Sequence, residues 1–343
     1  MCVKMSNNNN EPKSLKRRME TDEQENSSSK KSDIPRKSLL ESEKTFVVRH
    51  VFKDVSEFEE GIINSNKEEG HFNVPWSIGL KRKDGHLGYY INCHQSSNLK
   101  QFCVEVNANL IAIGPAGKMH NRVLHNTFRA RSSLGFGNFL EWETLVTDFL
   151  VNDSLTVEAQ VRIIETSGLG KEKIRSFDET QQAVSDVMLV VRSSEFYVSR
   201  LFLAAQSTFF KAQLLGNCSG SNDPKVPLNG IDPFDFHYFL EVLHGESAID
   251  DSTVEGVALL ADMYDAQTAM RRCEEFLVEK SKKSLKKKLQ MASRYRFENL
   301  KQQTLEKVQT TRDIRSIVSD STNINDFDQS TTLELLKKSV SQF

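Results

Sequence analysis

Apolar and polar residues alternate along several segments between residues 46 and 164, the pattern of strands that bury one face. Segments 76–80 and 102–110 follow it, as does a third segment with apolar Leu155, Val157, Ala159, Val161 and Ile163. Successive side chains of a strand point to opposite faces, so each segment has one buried and one solvated side. Asp84-Gly85 predicts a tight hairpin turn. Short strands with turn signals at this spacing predict an antiparallel β-sandwich over residues 45–166.

After residue 167 the spacing of apolar residues becomes helical. The apolar run Val187–Val191 and residues 196–198 predict a strand pair. Four apolar residues then recur at i, i+3, i+4 and i+7, namely Phe236, Phe239, Leu240 and Leu243. Asp232-Pro233 precede them as the N-cap and first residue of a helix. These features predict an α/β domain over residues 183–281.

Three further regions complete the predicted organisation. Residues 1–44 contain no aromatic residue and carry ten Lys or Arg against eight Asp or Glu. Such a segment buries too little apolar surface to offset its ordering entropy, so we expect a disordered tail. Residues 167–182 are interpreted as a linker and dimerisation segment. Residues 282–343 are interpreted as a helical extension that begins with a Lys-rich segment and ends in an amphipathic stretch.

Composition limits the class of protein. The 343 residues suffice for two domains and an appendage, and 45 basic against 47 acidic residues argue against a uniformly basic nucleic-acid coat. No apolar run approaches the ~20 residues of a membrane span. The N-terminus has no apolar stretch of a secretory signal, and the five cysteines include no CxxC pair. We therefore expect a chain without membrane contact, in the reducing cytoplasm and/or nucleus.

Two basic clusters in the tail allow two interpretations. Lys16-Arg17-Arg18 and Lys30-Lys31 are spaced like a bipartite nuclear import signal. The alternative is an ordinary solvated charge cluster.

Motifs of catalysis are missing from the sequence. It contains no phosphate-binding glycine loop, no HExxH and no GxSxG. Six of the eight histidines fall between His50 and His125, on different predicted strands and without ligand spacing. We expect neither an enzyme nor a metal or cofactor site, and an interaction protein is the better class.

Two sets of motifs resemble known domains. One set resembles the MATH (TRAF-like) sandwich: residues 76–80 (WSIGL), 87–90 (LGYY) and 135–140 (GFGNFL). The other resembles the BTB/POZ domain: residues 185–187 (SDV), 196–205 (FYVSRLFLAA), 207–211 (STFFK), 230–236 (GIDPFDF) and 260–264 (LADMY). Their order is that of the BTB-and-MATH-domain (BATH) family, which includes speckle-type POZ protein.

The resemblance implies a substrate-recognition adaptor of a type-3 cullin–RING ubiquitin ligase. The MATH domain would bind a short degron of a substrate protein, and the BTB domain would form a homodimer and bind the cullin. One alternative is a BTB scaffold that works without a ligase. Another is a nuclear, DNA-associated regulator, which only the basic segments favour, so nucleic acid is not the expected partner.

The resemblance also implies a peptide cleft, formed by Tyr90, Phe102, Asn126, Leu134, Phe136 and Gly137. Speckle-type POZ protein would have Tyr, Trp and Lys at positions 126, 134 and 137, so only three of the six residues here are aromatic. Without a tryptophan side chain at position 134, the cleft loses ~1–3 kcal/mol of binding free energy, so a Ser-rich degron should bind poorly. Phe102 fits the alternation of its strand, and packing in the core is its alternative role.

Dimerisation is expected through residues 170–280, with Ile174, Phe177 and Asp186 at the interface. For Phe177 the alternative is packing within its own domain. Family members often pair an acid at position 186 with an arginine, but Gln206 stands at the corresponding place. Asp186 has therefore a second interpretation, as a cap of local backbone.

The cullin-binding loop departs from the family pattern. Cys218-Ser219-Gly220 stand where the family has a hydrophobic residue, any residue and Glu. Cys218 can fill part of a pocket, whereas Gly220 offers no carboxylate and loosens the loop. Loss of one supporting hydrogen bond costs ~0.5–1.5 kcal/mol, so we expect cullin affinity weakened roughly tenfold.

Overall fold

The computed structural model describes residues 43–95, 102–216, 223–318 and 326–341. Of the predicted tail, only Glu43 and Lys44 belong to these residues. Glu43 accepts a hydrogen bond from Arg162 Nη1 at 2.9 Å, and the contacts of Lys44 are described below. Three parts follow each other along the chain: a β-sandwich, an α/β module and a group of C-terminal helices. None of the helices in these ranges is long and apolar enough to cross a membrane.

The sandwich is antiparallel, as the alternation of apolar residues predicted. Its strands within the described residues are β1 (Thr45–Phe52), β2 (Ile63–Ser65), β3 (Glu69–His71), β4 (Val74–Lys83), β5 (His86–Cys93), β6 (Cys103–Ile113), β7 (Met119–Phe128), β8 (Ser132–Glu141) and β9 (Leu155–Ser167). One sheet has the order β1-β9-β6-β7, and the other has the order β2-β4-β5-β8 with β3 beside β4. A short helix α1 (Trp142–Asp148) follows β8.

The strand pattern explains the core of the sandwich. The alternating apolar residues of β6 and β9 are buried, and Trp76, Ile78 and Leu80 of β4 are fully enclosed. The predicted hairpin at Asp84-Gly85 joins β4 to β5, and both residues have positive φ (51° and 71°) as this turn requires. Leu259, which belongs to the following module, packs into this core.

The α/β module contains one strand more than predicted. Strands β10 (Val187–Val191) and β11 (Ser194–Val198) form the expected antiparallel pair. Strand β12 (Lys225–Leu228) adds to β10 in parallel. It has only four residues, one of them Pro227, and proline is depleted in strands, so the sequence pattern did not reveal it.

Helices surround this small sheet: α2 (Arg200–Gln206), α3 (Thr208–Leu215), α4 (Pro233–Leu243), α5 (Val254–Met263) and α6 (Gln267–Glu279). The predicted cap is present, because Asp232 Oδ1 accepts hydrogen bonds from the N–H groups of Phe234 (2.9 Å) and Asp235 (3.4 Å). The predicted linker ends in a single 3-10 segment at Glu179–Val184.

The C-terminal helices are α7 (Leu285–Tyr295), α8 (Glu298–Glu306), α9 (Thr311–Ile317) and α10 (Gln329–Ser341). Helix α7 contains most of the Lys-rich segment. A small separate core, which includes Leu289, Ile317 and Leu335, holds these helices together. At the start of α9, Thr310 and Asp313 form a reciprocal capping box.

Candidate peptide-binding groove

Strand β8 forms one rim of the sandwich. Within the described residues it pairs only with β5 in its sheet, and across the open side it faces β7, the last strand of the other sheet. Arg122 of β7 bridges the two rims: its Nη1 donates to the carbonyl oxygen of Asn138 at 2.9 Å. His120 Nε2 lies 2.8 Å from the carbonyl oxygen of Phe139. These bridges lie at the C-terminal half of β8.

Three of the predicted cleft residues line the space between the rims, which we call the rim groove. Leu134 and Phe136 pair with Ile91 and Tyr89, whose side chains are fully buried, so they turn to the inner side of the sheet. Both are half-buried and pack against the sandwich core. Asn126 pairs with the buried Val106 on β6 and is exposed on the facing rim.

Tyr90 lies on the opposite face of the same sheet. It pairs with Gly135 and follows the buried Tyr89, so its side chain points outward. The ring lies against two glycines: a Cβ atom at Gly88 would be 2.9 Å from Tyr90 Cε2, and one at Gly137 would be 3.4 Å from Tyr90 Oη. Gly137 therefore forms part of the surface beside which the tyrosine ring lies.

Strand β8 thus separates the predicted cleft residues into two groups. An extended peptide that adds to the edge of β8 would point alternate side chains to the two faces. One set would reach Leu134 and Phe136, and the other would reach Tyr90 and Gly137. The division is compatible with a single peptide that binds along the edge.

Phe102 has a different environment. It is 4% exposed and belongs to the sandwich core. This is the alternative role named for it from the alternation of its strand. Its burial leaves little surface for contact with a peptide.

Sequence reasoning missed Arg122. Its guanidinium carbon lies 3.8 Å from the centre of the Phe136 ring, the geometry of a cation–π contact. Arg122 pairs with the fully buried Leu110, so it occupies an inward position of β7. The available signal was an arginine at a position of β7 that shares the inward face with Leu124 and Phe128. The contact gives the rim groove a positive charge beside its aromatic residue.

The predicted dimer residues lie in three different environments. Ile174 is 52% exposed. Phe177 is buried in the core of the module, with its ring centre 5.2 Å from that of His237 and 5.1 Å from that of His244. Asp186 is exposed, and its Oδ1 accepts the backbone N–H of Arg200 at 2.7 Å. The last two placements match the alternatives: packing within the domain, and capping of backbone.

Two exposed apolar residues near Asp186 were not identified from the sequence. Val184 is 75% exposed and Leu201 is 69% exposed. Val184 lies two residues before Asp186, and Leu201 directly follows Arg200, which donates the hydrogen bond to Asp186. The loop residues Cys218, Ser219 and Gly220 fall outside the described residues.

A buried carboxylate holds the predicted linker against the module. Glu241 is fully buried, and its Oε1 accepts the N–H groups of Ile174 at 2.5 Å and Arg175 at 2.9 Å. The same oxygen lies 3.3 Å from Nε2 of His237, whose pKa is lowered mainly by burial. Two backbone donors therefore fix the path of the chain into the module.

Reactive groups are few in the described part of the chain. It contains no cluster of three His, Cys, Asp or Glu residues that could hold a metal ion. The thiols of Cys93 and Cys273 are buried. Burial raises the pKa of Cys93 to about 11 and that of Cys273 further, so both are neutral at pH 7.

Comparison with known proteins finds relatives for both domains. Residues 52–163 match the MATH domain family, and residues 177–281 match the BTB/POZ domain family. BTB and MATH domain-containing protein 15 of Caenorhabditis elegans is 41% identical over 273 residues, which is 79% of this chain and 100% of that protein. Protein 45 of the same series and species is 33% identical over 81% of this chain and 60% of its own length. Human kelch repeat and BTB domain-containing protein 2 is 29% identical over 38% of this chain and 21% of its own length.

Proposed function

This chain belongs to the BTB and MATH domain-containing family, and we propose that it is a substrate-recognition adaptor of a type-3 cullin–RING ubiquitin ligase. Its two domains fit an adaptor or protein-interaction role, and their families are interaction domains rather than enzyme families. In the proposed role the MATH domain (the sandwich) binds a degron, and the BTB domain (the α/β module) dimerises and binds the cullin. The adaptor makes no bond itself, because it acts by raising the effective concentration of substrate near the ubiquitin-charged enzyme.

The observation that carries the degron proposal is the open edge of β8 with side chains on both of its faces. An extended peptide gains affinity from backbone hydrogen bonds to such an edge and selectivity from the flanking side chains. Phe136 with Leu134 offers an apolar wall on one face. Tyr90 offers an aromatic surface on the other.

Arg122 suggests the chemistry of the degron. Its guanidinium lies over Phe136, so a carboxylate in the rim groove would gain a charge-assisted contact. Asn126, Leu134 and Gly137 are less bulky than the Tyr, Trp and Lys of speckle-type POZ protein. We therefore propose that the groove selects a peptide with an acidic residue next to an apolar one, rather than a Ser-rich degron.

A peptide array tests the degron proposal on the full chain. Peptides selected by the wild type should lose binding to the Tyr90→Ala/Phe136→Ala double variant while its thermal unfolding stays cooperative. Arg122→Gln should reduce binding of acidic peptides selectively. Retention of all selected peptides by the double variant would place the site elsewhere.

The dimer proposal is supported by the apolar surface of the BTB domain. Ile174, Val184 and Leu201 are all more than half exposed there, and contact with a second copy of the chain would remove this apolar surface from water. We expect analytical sedimentation at micromolar concentration to give a species of twice the 39.0 kDa chain mass. A species of the chain mass alone would contradict the dimer.

The cullin proposal depends on the loop at residues 218–220. Since Gly220 supplies no carboxylate, the expected affinity is weak, and Gly220→Glu should improve it about tenfold. Titration calorimetry of both proteins against the N-terminal domain of a type-3 cullin measures this directly. Absence of binding by both would favour the second candidate, a scaffold without a ligase, for which the missing carboxylate is the specific observation.

The DNA-associated alternative loses support from the ion pairs of the Lys-rich segment. Lys283 and Lys287 bind Glu255, and Lys286 binds Glu69, so these lysines are engaged within the protein. Salt-sensitive retention on DNA would be the result that restores this alternative. Residence in the cytoplasm and/or nucleus remains part of the proposal, and a fluorescent fusion with and without Lys16-Arg17-Arg18 tests it.

A further inference from the structure

A turn of the MATH domain inserts between the BTB domain and the C-terminal helices. Phe72 and Asn73 join β3 to β4, with φ values of 50° and 61°. Asn tolerates this left-handed region, but a bulky residue such as Phe rarely adopts it. Phe72 is nevertheless 8% exposed, and its N–H donates to Glu255 Oε2 of helix α5 at 3.1 Å. The strained residue is therefore the one that contacts the neighbouring domain.

Glu255 is a buried carboxylate with partners from two other parts of the chain. Besides Phe72, it binds Nζ of Lys283 and Nζ of Lys287, both at 2.7 Å. Burial would raise the pKa of Glu255, but the two lysines outweigh burial and hold that pKa well below its usual range. The carboxylate is therefore charged, and it needs both cations, because an uncompensated buried charge is costly.

The same short segment of lysines also binds the MATH domain. Lys286 Nζ lies 3.1 Å from Glu69 Oε1, and Lys287 Nζ lies 3.2 Å from His71 Nδ1. Burial lowers the pKa of His71 to about 4, so its ring is neutral at pH 7 and can accept this hydrogen bond. Glu69 is an acid of the MATH domain and Glu255 is an acid of the BTB domain. The lysines at the start of α7 neutralise both.

A second set of contacts fixes the two domains on another side. Lys44, just before β1, binds Asp235 at 2.6 Å and Asp232 at 3.3 Å. Thr166 at the end of β9 donates to Asp232 Oδ2 at 2.6 Å. Leu259, one turn after Glu255 on α5, packs into the core of the MATH domain. Contacts on two sides oppose rotation of one domain on the other.

We propose that Lys283 and helix α7 form a clasp that fixes the orientation of the MATH domain on the BTB domain. The segment after the BTB domain, together with the contacts of Lys44 and Thr166, holds the MATH domain in place. Neutralising the clasp on one side leaves a buried charge without a partner, which releases the turn at Phe72 and lets the MATH domain pivot about the contacts of Lys44, Thr166 and Leu259. This inference does not depend on cullin or degron binding.

Hydrogen exchange followed by mass spectrometry on the full chain tests the clasp. In Glu255→Gln, amides of residues 69–74 should exchange at least tenfold faster than in the wild type, and small-angle scattering should give a larger radius of gyration. Amides of β5 and of α4 should exchange at the wild-type rate. Lys283→Gln/Lys287→Gln should have the same effect, whereas the matched change at the exposed neighbour, Lys282→Gln, should have none.

A combined variant separates a clasp from a merely local role. Glu255→Gln/Lys283→Gln/Lys287→Gln removes the carboxylate and both lysine charges together, so no buried charge is left without a partner. Residues 69–74 should therefore exchange more slowly in this variant than in Glu255→Gln or in Lys283→Gln/Lys287→Gln. Unchanged exchange at residues 69–74 in the single-sided variants would overturn the proposal. So would faster exchange that extends through α4, because Glu255 would then stabilise the BTB domain itself.

A milder variant covers the case in which the single-sided variants do not fold. Lys286 binds Glu69 at the margin of the clasp, with 14% of its side chain exposed. Lys286→Gln should accelerate exchange at residues 69–74 about threefold with a cooperative thermal transition. An unchanged rate in this variant, when the others are unfolded, would also overturn the proposal.

Discussion

The rim groove and the clasp both combine charged and apolar groups, but they differ in how completely those groups are satisfied. In the clasp, the carboxylate of Glu255 meets two ammonium groups and a backbone N–H, all within 3.1 Å. In the rim groove, Arg122 and Phe136 contact each other and stay partly open to solvent. A buried charge whose partners are complete stabilises the fold. A charge with unused hydrogen-bonding capacity at an open edge is available to a ligand.

Removing one partner from each region should give the largest contrast. Glu255→Ala leaves Lys283 and Lys287 without their counter-ion, so we expect the free energy of unfolding to fall by ~3–5 kcal/mol. Arg122→Ala, the matched change in the rim groove, removes a partly exposed contact and should cost less than ~1 kcal/mol. Denaturant titration of both variants measures the difference. Equal losses would contradict the distinction between the two regions.

Acid should weaken the clasp through His71. Burial holds the pKa of His71 at about 4 in the folded chain, against 6.5 for an ordinary histidine. Between these values the unfolded chain binds a proton that the folded chain does not, so the free energy of unfolding decreases as the pH falls from about 6.5 to about 4. The full effect is on the order of 3 kcal/mol.

Asp235 acts in the opposite direction and must be separated from His71. Burial raises the pKa of Asp235 to about 6, so the folded chain binds its proton first and gains stability as the pH falls from about 6 towards 3.8. Comparing the wild type with His71→Gln cancels the contribution of Asp235. The variant should lose less free energy of unfolding than the wild type between pH 6.5 and pH 4.5. Identical pH profiles would contradict the prediction, because they would show that folding leaves the pKa of His71 unshifted.

Changes in the rim groove should affect binding more than stability. Tyr90→Ala/Phe136→Ala removes one aromatic ring from each face of β8, so we expect at least a 30-fold loss of peptide affinity, or ~2 kcal/mol. Fluorescence titration with an acidic peptide from the array gives the affinity. The same titration on Glu255→Gln should give the wild-type affinity, because the groove does not contact the clasp.

The smallest expected effect concerns the turn of the clasp. Asn73 is exposed with φ of 61°, so Asn73→Ala should destabilise the chain by ~1 kcal/mol, because alanine disfavours this backbone region. Asn73→Gly should be neutral or slightly stabilising. The ratio of unfolding constants of the two variants checks this, and an alanine variant as stable as the glycine variant would show that the turn relaxes.

Local patterns were sufficient to predict the strands and the helix cap. The alternation in β6 and β9 identifies their buried faces, because the side to which each residue of a strand points depends only on its position along that strand. Asp232-Pro233 and Asp84-Gly85 also carry their signal in two residues. Strand β12 could not be predicted, because Lys225–Leu228 is short and contains proline.

The sites were less predictable, since they depend on contacts between distant parts of the chain. The alternation of side chains along β5 puts Tyr90 and Tyr89 on opposite faces of the sheet. Only the register of β5 with β8 shows that Phe136 shares the face of Tyr89. Phe72 and Glu255 are 183 residues apart, and His71 and Lys287 are 216 apart. The contacts of the Lys-rich segment could not be predicted either, because the acids that it binds lie on other elements.

A MATH domain held at one angle has a consequence for substrates that carry two degrons. In a homodimer of the proposed kind, two MATH domains of fixed orientation would keep a constant distance between their rim grooves. A flexible chain between two degrons then gives the highest avidity when its average span equals that separation, and longer chains lose avidity by about the −3/2 power of their length. The spacing of degrons, as well as their sequence, becomes a property that the adaptor selects.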